Sequence, residues 1–266
     1  MAHAKLSTVE RIYAIGDVHG RFDLLERLVG IIRRDVAARR PAPSRIILLG
    51  DLIDRGPESR KVVERCRALT QRTDRFVVLK GNHEALMVDA INGNEDAMAM
   101  WRKVGGIETL ISWGVPADVI VDGSGGALRQ AAREAVGTAT LAWLASLPLA
   151  MQHFGYFFVH AGIRPGVALT RQTEHDMLWI RDAFLDSKDD HGAVVVHGHS
   201  IRTLGADVRP NRIGIDTGAY RTGRLTAIGI EDGDHWLMAT DPRAPGKPPA
   251  PFSGTAADIP ADFGGA

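Results

Sequence analysis

The chain has 266 residues, 45% of them hydrophobic and 24% charged, enough to bury a sizeable core. Lys plus Arg and Asp plus Glu each number 32, so the net charge is zero and argues against a broad nucleic-acid or anionic-membrane footprint. The single cysteine, Cys66, excludes an intrachain disulfide, no apolar run approaches the about 18 residues that cross a bilayer, and Met1 to Leu6 lack the apolar core of a signal peptide. The expectation is a cytoplasmic protein, monomeric by default, that meets neither membrane nor nucleic acid.

In chain order, residues 11–16 read as a strand, and 22–38 place Leu24, Leu25, Leu28, Ile31 and Ile32 at helical spacing. Residues 45–49 predict a second buried strand, followed by a helix over about 57–69 with Pro57 at its first position. Residues 76–79 predict a third strand, and a helix starts near Glu84. Such a βαβαβα series implies parallel strands whose loops gather at their C-terminal ends, the edge where open α/β sheets place ligands. A helical insert over about 92–147 carries Trp101, Trp113 and Trp143, mostly as packing. Strand-like runs follow at 156–159, 193–196, 212–215 and 225–230, and the turn signals Thr222-Gly223 and Asp232-Gly233 predict a more antiparallel second sheet. Residues 1–240 are thus expected to form one domain, and the Pro-, Gly- and Ala-rich stretch 241–266 a poorly ordered tail.

Four short segments sit just after these apolar runs: Gly16-Asp17-Val18-His19-Gly20, Gly50-Asp51-Leu52-Ile53-Asp54-Arg55-Gly56, Gly81-Asn82-His83-Glu84 and His160-Ala161-Gly162. Any one alone reads as a turn with a capping Asp or Asn. All four in order, each at a strand end, point to a pair of divalent cations, because carboxylate oxygen and imidazole nitrogen suit Mn, Fe and Zn, and glycine lets the backbone pass close. Asp51 is the natural ligand to share between two ions. Asp17 and His19, one residue apart in a turn, can point to the first ion, and Asn82 supplies a neutral oxygen to the second. Two carboxylates against two divalent ions leave a centre of about two positive charges, suited to a phosphate dianion.

The segments GDVHG, GDLIDRG, GNHE and HAG, with a final Gly198-His199, resemble the calcineurin-like metallophosphoesterases, and within them the bacterial and phage type of phosphoprotein phosphatase. The resemblance spans about Tyr13 to Ile230. It implies an α/β fold with a central β-sandwich flanked by helices and a centre of two divalent ions, manganese before iron or zinc. One ion would take Asp17, His19 and Asp51, the other Asp51, Asn82, His160 and His199, with direct attack by a hydroxide bridging the ions. His83 would be the general acid, Asp54 its orienting carboxylate, and Arg55 and Arg181 the phosphate-binding arginines, with Arg164 a weaker third candidate. His197 is left over, with a strand-end role as reasonable as any other.

The leading expectation is a serine/threonine protein phosphatase acting on a phosphoprotein or phosphopeptide; the alternative is a symmetrical diadenosine tetraphosphate hydrolase. Asp54 before Arg55, and GNHE rather than GNHD, favour the phosphatase. A binding module without activity would have lost ligands, and none is missing. Ile201, where many phosphodiesterases of the wider superfamily carry a further His, disfavours a nucleic-acid substrate. The pattern also departs from eukaryotic members, with HAG in place of HGG and no counterpart of their regulatory C-terminal loop.

Overall fold

The computed structural model describes residues 10–240, so the tail expected over 241–266 lies outside the described residues. The first half runs β1 (Arg11–Ile15), α1 (Phe22–Ala38), β2 (Ser44–Leu48), α2 (Ser59–Thr70), β3 (Phe76–Val78) and α3 (Asn82–Ile91). Strands β1, β2 and β3 are parallel neighbours, as the alternating series requires. In β1, Tyr13 and Ile15 face the helices while Ile12 and Ala14 face the other way, the period-two alternation of a strand buried on both sides. Ile46 and Leu48 of β2 repeat that division against Ile47 and Leu49. Helix α2 starts at Ser59 rather than Pro57, and α3 starts at Asn82, two residues before the expected start, which puts His83 in its first turn.

The insert consists of α4 (Glu95–Trp101), a π-helical turn over Arg102–Gly106, α5 (Ile107–Ser112), α6 (Ala117–Asp122), α7 (Gly125–Val136) and α8 (Thr138–Ala145). Its Trp101, Leu110, Trp113, Leu128 and Leu144 join the cluster that covers the outer face of the first sheet. Then come β4 (Ala150–His153), β5 (Tyr156–Val159), α9 (Glu174–Trp179), α10 (Asp182–Leu185), β6 (Val194–His197), β7 (Asp207–Val208), β8 (Arg212–Gly214), α11 (Ala219–Thr222), β9 (Thr226–Glu231) and β10 (Asp234–Ala239).

Two five-stranded sheets result, ordered β10-β9-β1-β2-β3 and β4-β5-β6-β8-β7. They pack face to face through Ile12, Ile47, Leu79, Phe158, Val196, Ile213 and Ile228. The outer face of the second sheet is covered by Met177, Ile180 and Phe184 against Phe157, Val159 and Val195. The expected antiparallel second sheet is only partly found: β5, β6 and β8 are parallel, and β4 and β7 are antiparallel edges. Asp232-Gly233 does close the β9–β10 hairpin, both residues at positive φ. Thr222-Gly223 instead ends α11, with Gly223 in the left-handed region, while the chain crosses from one sheet to the other. Among the described residues no helix is long and apolar enough to cross a membrane.

Candidate metal centre

Both sheets deliver their parallel strands to one end of the sandwich. Asp17 and His19 follow β1, Asp51, Asp54 and Arg55 follow β2, Asn82 and His83 follow β3, His160 follows β5, and His199 follows β6. All except Arg55 are buried. Seven non-glycine residues have positive φ among the described residues, and five belong here: His19, Asp51, Asp54, Arg55 and His199. Strain of about 1–3 kcal/mol each persists only where the surroundings over-determine the backbone, and it gathers at functional sites.

Asp51 lies between two groups of potential ligands, His19 with His83 and His160 with His199, whose donor atoms lie within 4.8 Å of one another in each group. Its Oδ2 is 3.5 Å from His19 Nε2, and its Oδ1 is 3.4 Å from His160 Nε2. Asn82 Oδ1 stands 2.8 Å from His160 Nε2 and 3.0 Å from His199 Nδ1. His160 uses Nδ1 to donate to the Leu49 carbonyl at 2.9 Å, so its Nε2 turns a lone pair toward the Asn82 oxygen, an acceptor facing an acceptor. His199 Nε2 is buried without a hydrogen-bond partner. A cation among these lone pairs removes the conflict. On the other side, His19 donates Nδ1–H to the Ile53 carbonyl at 2.8 Å, and its Nε2 meets Arg55 Nη1 at 2.9 Å, a guanidinium standing where positive charge is wanted. The donor set therefore fits divalent ions on both sides of Asp51.

The electrostatics agree. Burial lowers the pKa of His19 to about 3 and that of His160 and His199 below the ordinary range, leaving neutral imidazoles able to ligate. Burial also works to raise Asp51, but the surrounding imidazoles outweigh it and hold the carboxylate ionised. Asp17 is pushed up by burial first, then by Asp216 and Asp51, a clustering of carboxylates that bound cations would relieve. Asp17 accepts the His199 backbone N–H at 3.0 Å, which ties the first strand-end loop to the last.

His83 differs. Its Nδ1 lies 2.6 Å from Asp54 Oδ2, and although burial opposes its charge, Asp51 and Asp54 outweigh that and raise its pKa. Its Nε2 meets Arg55 Nη2 at 3.0 Å and lies 3.8 Å from Asp51 Oδ2, so distance alone admits it among metal ligands; it differs from His19 in that its Nδ1 faces a carboxylate rather than a carbonyl. Arg181 is exposed, makes no side-chain hydrogen bond or ion pair among the described residues, and adds its charge to the burial that lowers His160 and His199. Arg164 is elsewhere engaged: it pairs with Asp176 through Nε at 2.9 Å and Nη2 at 2.5 Å. His197 is buried on Gly198 and Phe184, a strand-end histidine.

Several residues of the centre went unassigned in the sequence. Asp216, buried and raised to about 6 by burial and then by Asp51, follows β8 as Asp17 follows β1, so its strand-end position was the available signal. Glu84 accepts from the N–H groups of Gly81, Asp51 and Leu52 at 2.8 to 2.9 Å, and its place three residues after Gly81 has capping-box spacing. Two rings flank the mouth: Tyr220, 5.4 Å from His19 and under the Arg55 guanidinium at 4.8 Å, and Trp179, 37% exposed and 6.4 Å from His199.

Comparison with known proteins points the same way. The pattern of the calcineurin-like phosphoesterases matches residues 10–222. A symmetrical bis(5'-nucleosyl)-tetraphosphatase of Methylococcus capsulatus is 32% identical over 154 residues, 58% of this chain and 44% of that protein; the chain spans about half the length of the curated relatives it matches first. Serine/threonine-protein phosphatase 2 of Escherichia coli is 37% identical over 95 residues, 36% of this chain and 38% of that protein. A solved structure described as a candidate diadenosine tetraphosphatase superposes with a TM-score of 0.57 at 19% identity, covering 86% of this chain and 93% of that one. With the β-sandwich, the two ligand groups sharing Asp51 and the family pattern across most of its length, this chain belongs to the calcineurin-like phosphoesterases, a family of metal-dependent phosphoester hydrolases.

Proposed function

We propose that this chain hydrolyses a nucleotide phosphoanhydride, with symmetrical dinucleoside tetraphosphates as the leading substrate class. The observation that carries this reading is the 32% identity over 154 residues to a symmetrical bis(5'-nucleosyl)-tetraphosphatase. The exposed ring of Trp179 beside His199 supports it, since an exposed aromatic offers a π-face on which a base can stack, with the half-buried Tyr220 on the other side of the centre. Asp54 and Glu84 are the residues whose types favour a phosphoprotein. Both are fully buried, Asp54 on His83, Trp101 and Thr109 and Glu84 on loop N–H groups, so neither reports on what lies beyond the phosphate.

In this reading Asp17, His19 and Asp51 would hold one divalent ion and Asp51, Asn82, His160 and His199 the other, manganese being the first metal to try. Bound there, the pair would acidify a water and neutralise phosphoryl oxygens. Arg55, released from the two imidazoles, and the exposed Arg181 grip the remaining phosphate oxygens. His83 hands its proton to the leaving oxygen while Asp54 keeps the imidazole aimed.

A second reading, a serine/threonine protein phosphatase, keeps support from the 37% identity over 95 residues to the Escherichia coli enzyme. One manganese-loaded preparation, given diadenosine tetraphosphate and a phosphothreonine peptide in parallel, separates the two. The proposal expects ADP as the sole nucleotide product and kcat/KM at least about tenfold above that for the peptide, roughly 1.4 kcal/mol of transition-state preference. The reverse ranking overturns it in favour of the second reading.

A further inference from the structure

We propose that the helical insert is a clamp for the carboxylate that orients the general acid, with Trp101 and Thr109 as positioning residues. Asp54 and Arg55 are consecutive non-glycine residues in the left-handed region, with φ of 73° and 67°. Such a pair does not hold itself there. Much of what holds it comes from the insert, between the end of α4 and α5. Arg55 N–H donates to the Gly105 carbonyl at 3.1 Å, and Arg55 Nε donates to the Val104 carbonyl at 3.3 Å, both from the π-helical turn. The turn fits closely: Gly105 has φ of 120°, and a Cβ there would stand 2.6 Å from Arg55 N. Thr109 Oγ accepts the Asp54 N–H at 2.9 Å.

The side chain of Asp54 is held from the same quarter. Thr109 Oγ donates to Oδ1 at 2.6 Å, and Trp101 Nε1–H is shared between Oδ1 at 3.0 Å and Oδ2 at 3.1 Å. Oδ2 is the oxygen that meets His83 Nδ1. With Oδ1 fixed by Thr109, the carboxylate cannot rotate, and the imidazole inherits that orientation. Trp101 and Thr109 are both fully buried and bond none of Asp17, His19, Asp51, Asn82, His160 or His199. Their removal should therefore weaken proton delivery without disturbing metal binding. The inference rests on the reading of His83 as proton donor.

The test compares Thr109→Val, close in shape but lacking the hydroxyl, with Thr109→Ser, which keeps it, and with His83→Asn as reference. Trp101→Phe carries the test independently through the indole N–H should the valine variant fold poorly. Each manganese-loaded protein is assayed on phenyl phosphate and p-nitrophenyl phosphate, similar in shape but differing in how much the leaving oxygen needs a proton, with metal content and melting temperature measured alongside. Thr109→Val is expected to lower kcat for phenyl phosphate by about tenfold and for p-nitrophenyl phosphate by less than about threefold, with KM and metal content unchanged and activity restored by serine. An equal loss on both substrates, or a loss of metal, overturns the clamp. If His83→Asn leaves the ratio of the two substrates unchanged, the acid assignment falls and the clamp with it. If His83→Asn changes that ratio while Thr109→Val and Trp101→Phe do not, the clamp alone is refuted.

Discussion

A single methyl group at Gly198 tests how the first and last strand-end loops are locked together. A Cβ at this position would lie 2.0 Å from Asp17 Oδ1 and 3.2 Å from its Cγ. Restoring an ordinary contact of about 3.4 Å displaces that oxygen by roughly 1.4 Å, beyond the ~1 Å misplacement that can cost about 10²-fold in rate. The same carboxylate accepts the His199 N–H at 3.0 Å, so the shift disturbs residues assigned to both ions at once. We therefore expect Gly198→Ala to lower kcat/KM by about 10²-fold or more, near 3 kcal/mol, and to weaken manganese binding, while overpacking removes only about 1–3 kcal/mol of stability. Steady-state kinetics, calorimetric titration of metal-free protein with manganese and a thermal melt read the three effects separately. A folded Gly198→Ala protein with wild-type manganese affinity and turnover would refute the placement of Asp17 and His199 in the metal shell.

Three further outcomes follow from the same geometry. Because Asp51 and Asp54 raise the His83 pKa against the effect of burial, the acid form survives above the ordinary value of about 6.5. The stability linked to that proton is fully present below about 6.5 and is lost as pH rises through the folded value; a pH profile of kcat on a substrate needing protonation should likewise hold past 6.5 before falling, and a fall with rising pH that sets in below 6.5 contradicts the assignment. Arg181→Ala should raise KM and the inhibition constant for inorganic phosphate by about tenfold with an unchanged melting temperature, since the side chain is exposed and makes no hydrogen bond of its own; unchanged phosphate inhibition removes it from the site. Glu84→Ala should cost several kcal/mol of stability, because three loop N–H groups lose their acceptor, and a melt within a degree of wild type would show that the loop needs no such anchor.

Much of this centre was legible because the signals are local. A carboxylate, carboxamide or imidazole one to four residues past a buried strand lands on the ligand edge wherever strands run parallel, which is why Asp17, Asp51, Asn82 and His160 could be put at that edge from the chain alone. Period-two burial in β1 and β2 was equally readable. The second sheet was less so, because turn residues do not reveal whether the chain folds back on its neighbour or crosses to the other sheet, and Thr222-Gly223 does the latter. The bonds of Trp101 and Thr109 to Asp54 join residues about fifty positions apart, and no local period encodes them. Asp54 and Glu84 say little about substrate for a related reason: their types were visible, but their burial and the direction they face were not.

The shared carboxylate of Asp51 is the centre of the account, and manganese bound per chain, measured by elemental analysis on wild-type and Asp51→Asn protein side by side, tests it most directly. Two ions per chain in the wild type, with both substantially lost and hydrolysis abolished in the variant, is the predicted result. One ion per chain, retained by Asp51→Asn, would contradict it.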